Sequence, residues 1–455
     1  LTSINVMAAI DPSLYESIII EAADGSQSVD VKLGVTNFLY YEDLFSPTIT
    51  AVMEIVNTGG TIEGEGGKFM SIYSGLPLRG GERVFIKING NNETNPGLDF
   101  STPDTALYVS SIKAVIRDSR KEIFTIALTT RESITNETSR IHQKYKKQPP
   151  EDIVENILRT YLNSKKPLIV SPFKRNSKLN YGFIGNFKKP FTTLVWLASK
   201  GKPPSPDGGG LAGFFFYETV RGYHFKPIDE LINEGIQRVK DNKNAYDYES
   251  MEVQTYGENT DRNILNYSVS KNNDLLRKMR YGMYSSFHVE FDPATMSFTP
   301  LSQGSFSMVN QILKYGKIRT LGTTPEPPNI VNDEGLNISE MPSRIFSSVK
   351  DSGVIESGGI SPEVNAIPSE FQRESLLRYN LLFNQVVNMT VPSNTNLAVG
   401  DCLNIHLVNT SENADYDSEQ SGLYMIKELC HSFDASRSLT TLKLVRDTYG
   451  SYSTD

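Results

Sequence analysis

The sequence predicts an α+β fold, mainly β, in which two similar antiparallel β-barrel domains accompany a small inserted α/β domain and a long loop-rich insertion. Three observations predict it. Stretches in which apolar and polar residues alternate, separated by turn residues, fill both ends of the chain. Two of these stretches recur in the same order near the C-terminal end. Between the copies, apolar residues recur at helical spacing instead.

The composition describes a folded protein of several domains. The 455 residues are 38% apolar and 22% charged, which is typical of soluble globular chains. No apolar run approaches the ~18 residues that span a membrane, and the first residues lack the basic head and apolar segment of a signal peptide. We therefore expect cytoplasmic synthesis. With two cysteines in so long a chain, we expect reduced thiols rather than a disulfide framework.

Residues 1–135 are assigned to the first β-barrel domain. In "PTITAVMEIVNTGG" the residues Ile49, Ala51 and Met53 alternate on one face, and the stretch ends at two glycines. The stretches "ERVFIKING" and "EIFTIALTT" alternate in the same way. Many short strands with turns between them favour a barrel or sandwich.

Residues 136–245 are assigned to a small α/β domain. In "QPPEDIVENIL" two prolines precede acidic residues and an apolar stripe, which predicts a helix that ends near Leu162. The stretch "PFTTLVWLASKG" predicts a second helix that begins at Pro190. The stretch "FFFYETVRGYHFKPI" predicts a strand pair that turns at Arg221 and Gly222.

The charge is uneven along the chain. The net charge is −8, yet residues 136–206 hold fourteen Lys or Arg against four acidic residues, a local charge of +10 that leaves −18 for the rest. We call residues 136–206 the basic block. Two interpretations stay open: the block docks onto an acidic partner or onto phosphate, or it is a solvated lysine-rich surface.

The rest of the chain is assigned to the second β-barrel domain around an insertion. Residues 246–320 return to strand-like alternation and begin this domain. Residues 321–365 are polar and rich in Pro, Gly and Ser, which predicts a loop-rich insertion. Residues 366–455 complete the domain, with a helix candidate at "SEFQRESLLRYNLLFNQ" before the closing strands.

An internal repeat supports two related β domains. "GERVFIKIN" from Gly81 matches "GDCLNIHLVN" from Gly400, an offset of 319 residues. "LYVSSIKAVIRDSRKEIFTIALTTRE" from Leu107 matches "LYMIKELCHSFDASRSLTTLKLVRD" from Leu423, an offset of 316 residues. Two weak matches in the same order at nearly the same spacing predict a duplicated domain.

Both cysteines lie near histidines, as they would in a zinc site or a Cys/His catalytic pair. The four residues Cys402, His406, Cys430 and His431 lack the paired spacing of common zinc sites. Through the repeat, Cys402 takes the place of Arg83 on a face that carries surface charges. A shift in alternation at Lys427 and Glu428, typical of a β-bulge, turns His431 to the apolar side and Cys430 away from it. We interpret all four as strand residues and predict no metal, cofactor or catalytic residue.

Other candidate residues are interpreted as structural: His142, His224, His288 and Trp196. The stretch "GGTIEGEGGKFMS" fails the phosphate-loop pattern, and "PDGGGLAG" lacks the strand and helix that a dinucleotide site needs. Adjacent acids such as Glu42 and Asp43 are expected by chance among 53 acidic residues.

The order of the motifs resembles one protein family. "GVTNFLYYEDLFSPTITAVMEIVN", "LPLRGGERVFIKI" and "LTTRESITNETSRIHQKYKKQPPEDIVENIL" resemble the central baseplate hub proteins of contractile phage tails of the T-even type. "GGGLAGFFFYETVRGYHFKPIDEL", "VPSNTNLAVGDCLNIHL" and the closing hairpin are similar to that family's middle domain and second barrel. The resemblance covers most of the chain outside residues 321–365. The paired barrels at the start of type VI secretion spike proteins are related.

The resemblance implies a structural protein of the virion, assembled in the host cytoplasm. Such hubs are homotrimers whose tail-tube-like barrels alternate around a ring and adapt the sixfold tail tube to the threefold central spike. The implied partners are the tail tube protein, the spike and neighbouring baseplate proteins. Tape-measure protein and then DNA pass through the channel without specific binding, and no membrane is involved.

Two alternatives come from other functional classes. A tail-associated peptidoglycan hydrolase would need a pair of carboxylates, one with a raised pKa, which a sequence does not reveal. A nucleic-acid-binding protein would use the basic block to contact phosphates.

Overall fold

The computed structural model describes most of the chain. The described residues are 8–59, 62–63, 69–76, 78–118, 121–171, 181–203, 211–241, 246–250, 260–271, 274–293, 295–298, 306–313, 319–323, 328–350, 355–356, 359–360, 368–408 and 416–448. Most of the phosphate-loop-like stretch, the glycine run of "PDGGGLAG" and residues 172–180 of the basic block lie outside them.

The described chain is mainly β. The strands of the N-terminal part are β1 Leu14–Glu21, β2 Ser28–Asp30, β3 Val35–Asp43, β4 Thr50–Asn57, β5 Ile62–Glu63, β6 Phe69–Met70, β7 Arg83–Asn89, β8 Gly97–Phe100, β9 Leu107–Arg117 and β10 Glu122–Thr130. Those of the middle are β11 Lys144–Gln148, β12 Leu168–Val170, β13 Tyr181–Ile184, β14 Phe214–Thr219 and β15 Gly222–Pro227. Those of the C-terminal part are β16 Asp247–Ser250, β17 Asn263–Ile264, β18 Asn266–Lys271, β19 Ser286–Asp292, β20 Ser297–Phe298, β21 Arg344–Val349, β22 Ile355–Glu356, β23 Gly359–Ile360, β24 Gln385–Pro392, β25 Cys402–His406, β26 Gly422–Asp434 and β27 Ser438–Arg446.

Short helices lie between the strands. They are α1 Ile72–Gly75, α2 Arg131–Thr138, α3 Pro150–Thr160, α4 Pro190–Ala198, α5 Ile228–Asp241, α6 Leu275–Tyr281, α7 Met308–Leu313 and α8 Pro368–Leu381. The helices expected from the prolines before residue 151 and at Pro190 form as α3 and α4, and the late helix candidate forms as α8. In the described part of the chain, no helix is long and apolar enough to cross a membrane.

One large sheet joins the two ends of the chain. Its path runs β17-β16-β25-β26-β3-β4-β10-β9-β7-β1-β2, and β8, β18, β24 and β27 attach to it. The apolar faces of these strands share one continuous core. The N-terminal and C-terminal strands therefore form a single layer rather than two separate sheets.

The strand order is the same in the two halves of this sheet. Neighbours run β7-β9-β10-β4-β3 in the first half and β25-β26-β27-β24-β18 in the second, all antiparallel. A register shift falls at Ser110 in β9 and at the corresponding Lys427 in β26, where the sequence predicts a β-bulge. The sequence repeat is thus also a repeat of strand pairing.

The turns that enter the repeated strands match in detail. The Gly81 N–H donates to the Val109 carbonyl at 2.8 Å, and the Gly400 N–H donates to the Ile426 carbonyl at 2.9 Å. Both glycines have positive φ, 93° and 86°. The two hydrogen bonds match Val109 with Ile426, an offset of 317 residues at the start of β9, which is one more than the offset of the sequence match. A second bulge, present in β9 after Lys113 and absent from β26, restores the offset of 316.

The middle of the chain forms a separate small core. Helices α3 and α4 pack over strands β14 and β15, and β12 pairs in parallel with β15. The predicted hairpin turns at Val220 and Arg221. Within the residues expected to form a loop-rich insertion, strand β21 pairs in parallel with β19.

Candidate functional site

The two repeats meet edge to edge. Residues Asn37–Asp43 of β3 pair antiparallel with Glu428–Asp434 of β26, and we call this pairing the junction. The His431 ring stacks on Tyr40 with centroids 6.0 Å apart, and the Phe433 ring stacks on Phe38 at 6.4 Å. All four side chains are buried. The junction is therefore a filled core contact as well as a backbone ladder.

A buried carboxylate fastens the junction to two loops. The Glu42 carboxylate accepts hydrogen bonds from the Tyr40 hydroxyl at 2.8 Å, the Val220 N–H at 2.9 Å and the Val399 N–H at 3.0 Å. Burial raises the pKa of Glu42 to about 7, and these donors limit the rise. Its neighbour Asp43 points to the other face and pairs with Lys427 at 3.0 Å. The two adjacent acids therefore do not form a catalytic pair.

The closing strand places its cysteine and histidine on opposite faces, as predicted. His431 is buried, with its Nδ1 2.9 Å from the Thr440 hydroxyl, and burial lowers its pKa to about 3. Cys430 is half-buried on the other face beside Tyr41, and burial raises the pKa of its thiol to about 11. A neutral imidazole and a protonated thiol that face opposite ways cannot act as one site.

The expectation that Cys402 occupies a surface position is wrong. Helix α5 covers this face of β25, and the Cys402 Sγ lies 3.9 Å from the Leu231 carbonyl oxygen, fully buried. Burial raises the pKa of the thiol. His406 contacts the Asn404 amide at 3.1 Å and the Tyr416 ring. Among the described residues, no group of three or more His, Cys, Asp or Glu is placed to hold a metal ion.

The other histidines and the tryptophan have packing partners or lie exposed. His224 is buried against the Tyr217 ring, with centroids 4.6 Å apart, and contacts the Thr219 hydroxyl. His288 contacts the Ser348 hydroxyl at 2.7 Å, and His142 is exposed. Trp196 packs edge-on against Phe183.

A buried ion cluster joins the middle domain to the first repeat. The Lys166 ammonium lies 2.5 Å from a Glu218 oxygen and 3.3 Å from a Glu132 oxygen. Both carboxylates are essentially without solvent exposure. The other Glu218 oxygen accepts the Ile49 N–H at 3.3 Å. Sequence reasoning missed this cluster, because its three members come from separate elements.

Two arginines join the middle domain to the second repeat. Arg221 pairs with Asp401 at 2.9 Å, at the turn that enters β25. Arg378 is buried between Asp447, at 3.0 Å, and Asp229 of α5. The middle domain is therefore joined to both repeats by ion pairs with buried carboxylates. Such pairs fix the relative position of their elements more than they add to the free energy of unfolding.

Many cations of the basic block are occupied within the chain. Besides Lys166, the Lys165 ammonium lies 3.2 Å from Asp104, and Lys189 pairs with Glu137. Arg159 donates to two backbone carbonyls, and Lys200 lies over the Trp196 ring at 4.6 Å. These contacts reduce the positive charge that the described part of the block offers to a partner.

The face of the junction that points away from the core forms a cleft of about 540 Å³. Side chains from β3, β4, β24, β26 and β27 line it, including Asp43, Thr50, Asn388, Glu428 and Lys443. Its lining mixes polar residues and charges of both signs with the larger Tyr41, Leu429 and Leu442, and the cleft crosses the line where the two repeats meet.

Comparison with known proteins identifies the fold. No protein-family model and no curated protein matches the sequence. The tail protein from Neisseria meningitidis matches with a TM-score of 0.50 at 9% identity, over 95% of this chain and 96% of that one. The prophage MuSo2 43 kDa tail protein from Shewanella oneidensis matches with a TM-score of 0.48 at 11% identity, over 95% and 98%.

A type VI secretion component of E. coli, itself described as similar to two bacteriophage T4 tail proteins, matches with a TM-score of 0.40 at 11% identity, over 92% of this chain and 74% of that one. The chain shares its fold with the Neisseria tail protein over nearly the whole length of both. The resemblance drawn from the sequence is thus confirmed at the level of the fold.

Proposed function

We propose that this chain is the structural hub of a contractile-tail baseplate, a homotrimeric ring between the sixfold tail tube and the threefold central spike. The observation that carries the proposal is the strand order that occurs twice in one chain, β7-β9-β10-β4-β3 and β25-β26-β27-β24-β18. Two similar barrel-like units in each of three chains offer six similar positions to the tube and three to the spike. The fold shared with a tail protein supports this role.

The hub acts through shape and charge rather than covalent chemistry. We assign the cleft at the junction to the ring interior, where tape-measure protein and then DNA pass. The acidic residues Glu42, Asp43 and Glu428 in the lining and a net charge of −8 per chain suit a wall that does not hold phosphate. The basic block would lie on the outside and meet neighbouring baseplate proteins.

Native mass measurement of the purified chain, alone and with its coexpressed spike protein, tests the proposal. We expect three chains per particle. A chain that stays monomeric with the spike present would contradict the adaptor role.

Two further assays address the alternatives. Release of peptidoglycan fragments that one carboxylate substitution abolishes would favour a hydrolase. Salt-sensitive, length-dependent binding to DNA would favour a nucleic-acid-binding role for the basic block.

A further inference from the structure

The first repeat leaves one strand edge open. Strand β9 pairs with β7 only at Leu107 and Tyr108, and in the described part of the chain no strand pairs with the same edge of Ser111–Arg117. In the second repeat, β26 pairs with β25 in the same way, but its continuation Glu428–Asp434 then pairs with β3. The open segment of β9 is therefore the counterpart of the segment that forms the junction.

The second repeat leaves the complementary edge open. Strand β18 corresponds to β3, since each flanks the matching strand, β24 or β4. Strand β4 pairs with β10 in the same register as β24 pairs with β27. When β3 and β18 are aligned on that register, Tyr267 takes the place of Phe38 and Val269 takes the place of Tyr40. Among the described strands, β18 pairs with β24 alone.

Burial distinguishes the closed edges from the open ones. At the junction Phe38, Tyr40 and Leu429 are at most 1% exposed. Their counterparts Ile112, Tyr267 and Val269 pack against the same core but are only partly buried. On the other face of β9, Ile116 is 60% exposed. The open edges carry the apolar residues of an interface without the cover that the junction provides.

We propose that Ser111–Arg117 of one chain pairs antiparallel with Asn266–Lys271 of the next chain, so that the contact between chains repeats the junction within a chain. The two repeats would then alternate around the ring. The junction within a chain and the matching strand pair between chains would join them in turn. This inference rests on the proposed trimer for the number of chains, but the strand pairing follows from the repeat.

The repeat also sets the register. Glu428 pairs with Asp43 and Cys430 with Tyr41 at the junction. Lys113 occupies the place of Cys430, and Ser270 the place of Tyr41, so Lys113 of one chain faces Ser270 of the next. In the same ladder Ile116 faces Ser268. Ile116 takes the place of Ser432 and Ser268 that of Leu39, so the apolar residue of this pair lies on the opposite strand from its position at the junction.

The contact joins two different edges, so it is head-to-tail and must close into a ring to leave no free edge. Unpaired edges with exposed apolar residues invite unwanted pairing, and closure removes that liability. Without closure the same contact would build filaments.

Cysteine cross-linking tests the register. We would introduce Lys113→Cys and Ser270→Cys together in a Cys430→Ser background, which keeps the buried Cys402. Paired strands place Cα atoms about 4.5–5.5 Å apart, within the range of a disulfide. We expect oxidation to link two and three chains covalently. Each single cysteine variant should give at most a minor dimer.

An off-register pair serves as the matched control. Lys113→Cys with Asn266→Cys keeps both residues on one face but moves the second cysteine four residues, about 13 Å, along the strand. It should not cross-link. Linking by this pair and not by the first would overturn the proposed register.

A surface substitution tests the interface without cross-linking. Ile116→Asp places a charge on the open edge and should shift the native mass from three chains to one. The control Ile345→Asp changes an equally exposed isoleucine of β21, 65% exposed, and should leave the mass unchanged. Circular dichroism confirms that both variants fold.

The outcomes separate this inference from the proposed function. Three chains per particle with no link between Lys113→Cys and Ser270→Cys would leave the trimer standing and overturn the strand pairing. A monomer at all concentrations, with and without the spike, would overturn both.

Discussion

Gly235 of α5 lies directly over Cys402 of β25. A Cβ atom at Gly235 would lie 2.3 Å from the Cys402 Sγ and 2.5 Å from its Cβ, far inside ordinary contact distance. The absence of a side chain at this position lets the helix cover the outer face of the second repeat. The thiol fills the groove that the glycine leaves.

Gly235→Ala should destabilise the protein. An alanine would gain up to ~1 kcal/mol of helix propensity, but overpacking against Cys402 costs about 1–3 kcal/mol and requires the helix to move. Urea unfolding of the variant measures the balance, and we expect a net loss. Gly59→Ala is the control, because a Cβ there would meet nothing within 4 Å. A stabilised Gly235→Ala variant would show that the helix is not seated this closely.

Lys166→Met should cost about 3–5 kcal/mol, because it removes the buried cation that the Glu132 and Glu218 carboxylates share. Denaturant unfolding at neutral pH measures this loss. The adjacent Lys165 is 69% exposed and pairs with Asp104, so Lys165→Met should cost less than ~1 kcal/mol. Equal losses in the two variants would contradict the buried bridge.

The junction should weaken in acid through His431. Its pKa is about 3 in the folded chain and 6.5 when exposed, so only the unfolded state gains a proton between these values. The contribution of His431 to stability is therefore full above pH 6.5 and falls as the pH drops, by about 3 kcal/mol at pH 4. Unfolding measured from pH 7 to pH 4 should show a smaller fall in His431→Phe than in the wild type.

The exposed His142 provides the control for that experiment. His142→Phe removes a histidine ring that is exposed and lies outside the junction. If His431→Phe shows the same pH dependence as His142→Phe, the buried neutral imidazole is not the cause.

The two turn glycines should respond differently to one substitution. Gly81 and Gly400 have similar positive φ, so alanine costs each about 1–2 kcal/mol of backbone strain. A Cβ at Gly81 meets nothing within 4 Å, whereas one at Gly400 would lie 2.5 Å from the hydroxyl of buried Tyr217. Thermal unfolding should rank Gly400→Ala as clearly less stable. Adding Tyr217→Phe to the Gly400→Ala variant should recover part of that difference in stability. If it recovers none, the contact with the Tyr217 hydroxyl is not the cause of the added loss.

The sequence predicted the features that depend on residues close together along the chain. The break in alternation at Lys427 predicted a bulge, and from it the inward His431 and outward Cys430. The repeat itself was visible because a turn glycine and an acidic residue begin both copies, at Gly81 and Gly400.

What the sequence missed depends on distant neighbours. The burial of Cys402 requires α5. Its residues Leu231, Ile232 and Gly235 recur at helical spacing, but no helix was predicted there. The junction could not be predicted, because an alternating strand shows which face is buried but not which strand lies at its edge.

The junction also sets an order in time. Asp43 pairs with Glu428, so 385 residues separate two partners in one ladder. A ribosome adding 5–20 residues per second needs roughly 20–80 s between making them. Throughout that interval the nascent first repeat has its β3 edge uncovered, and only a completed chain can bury it. The chain should therefore finish folding after translation, and chains cut short before Glu428 should be bound by chaperones or degraded by proteases.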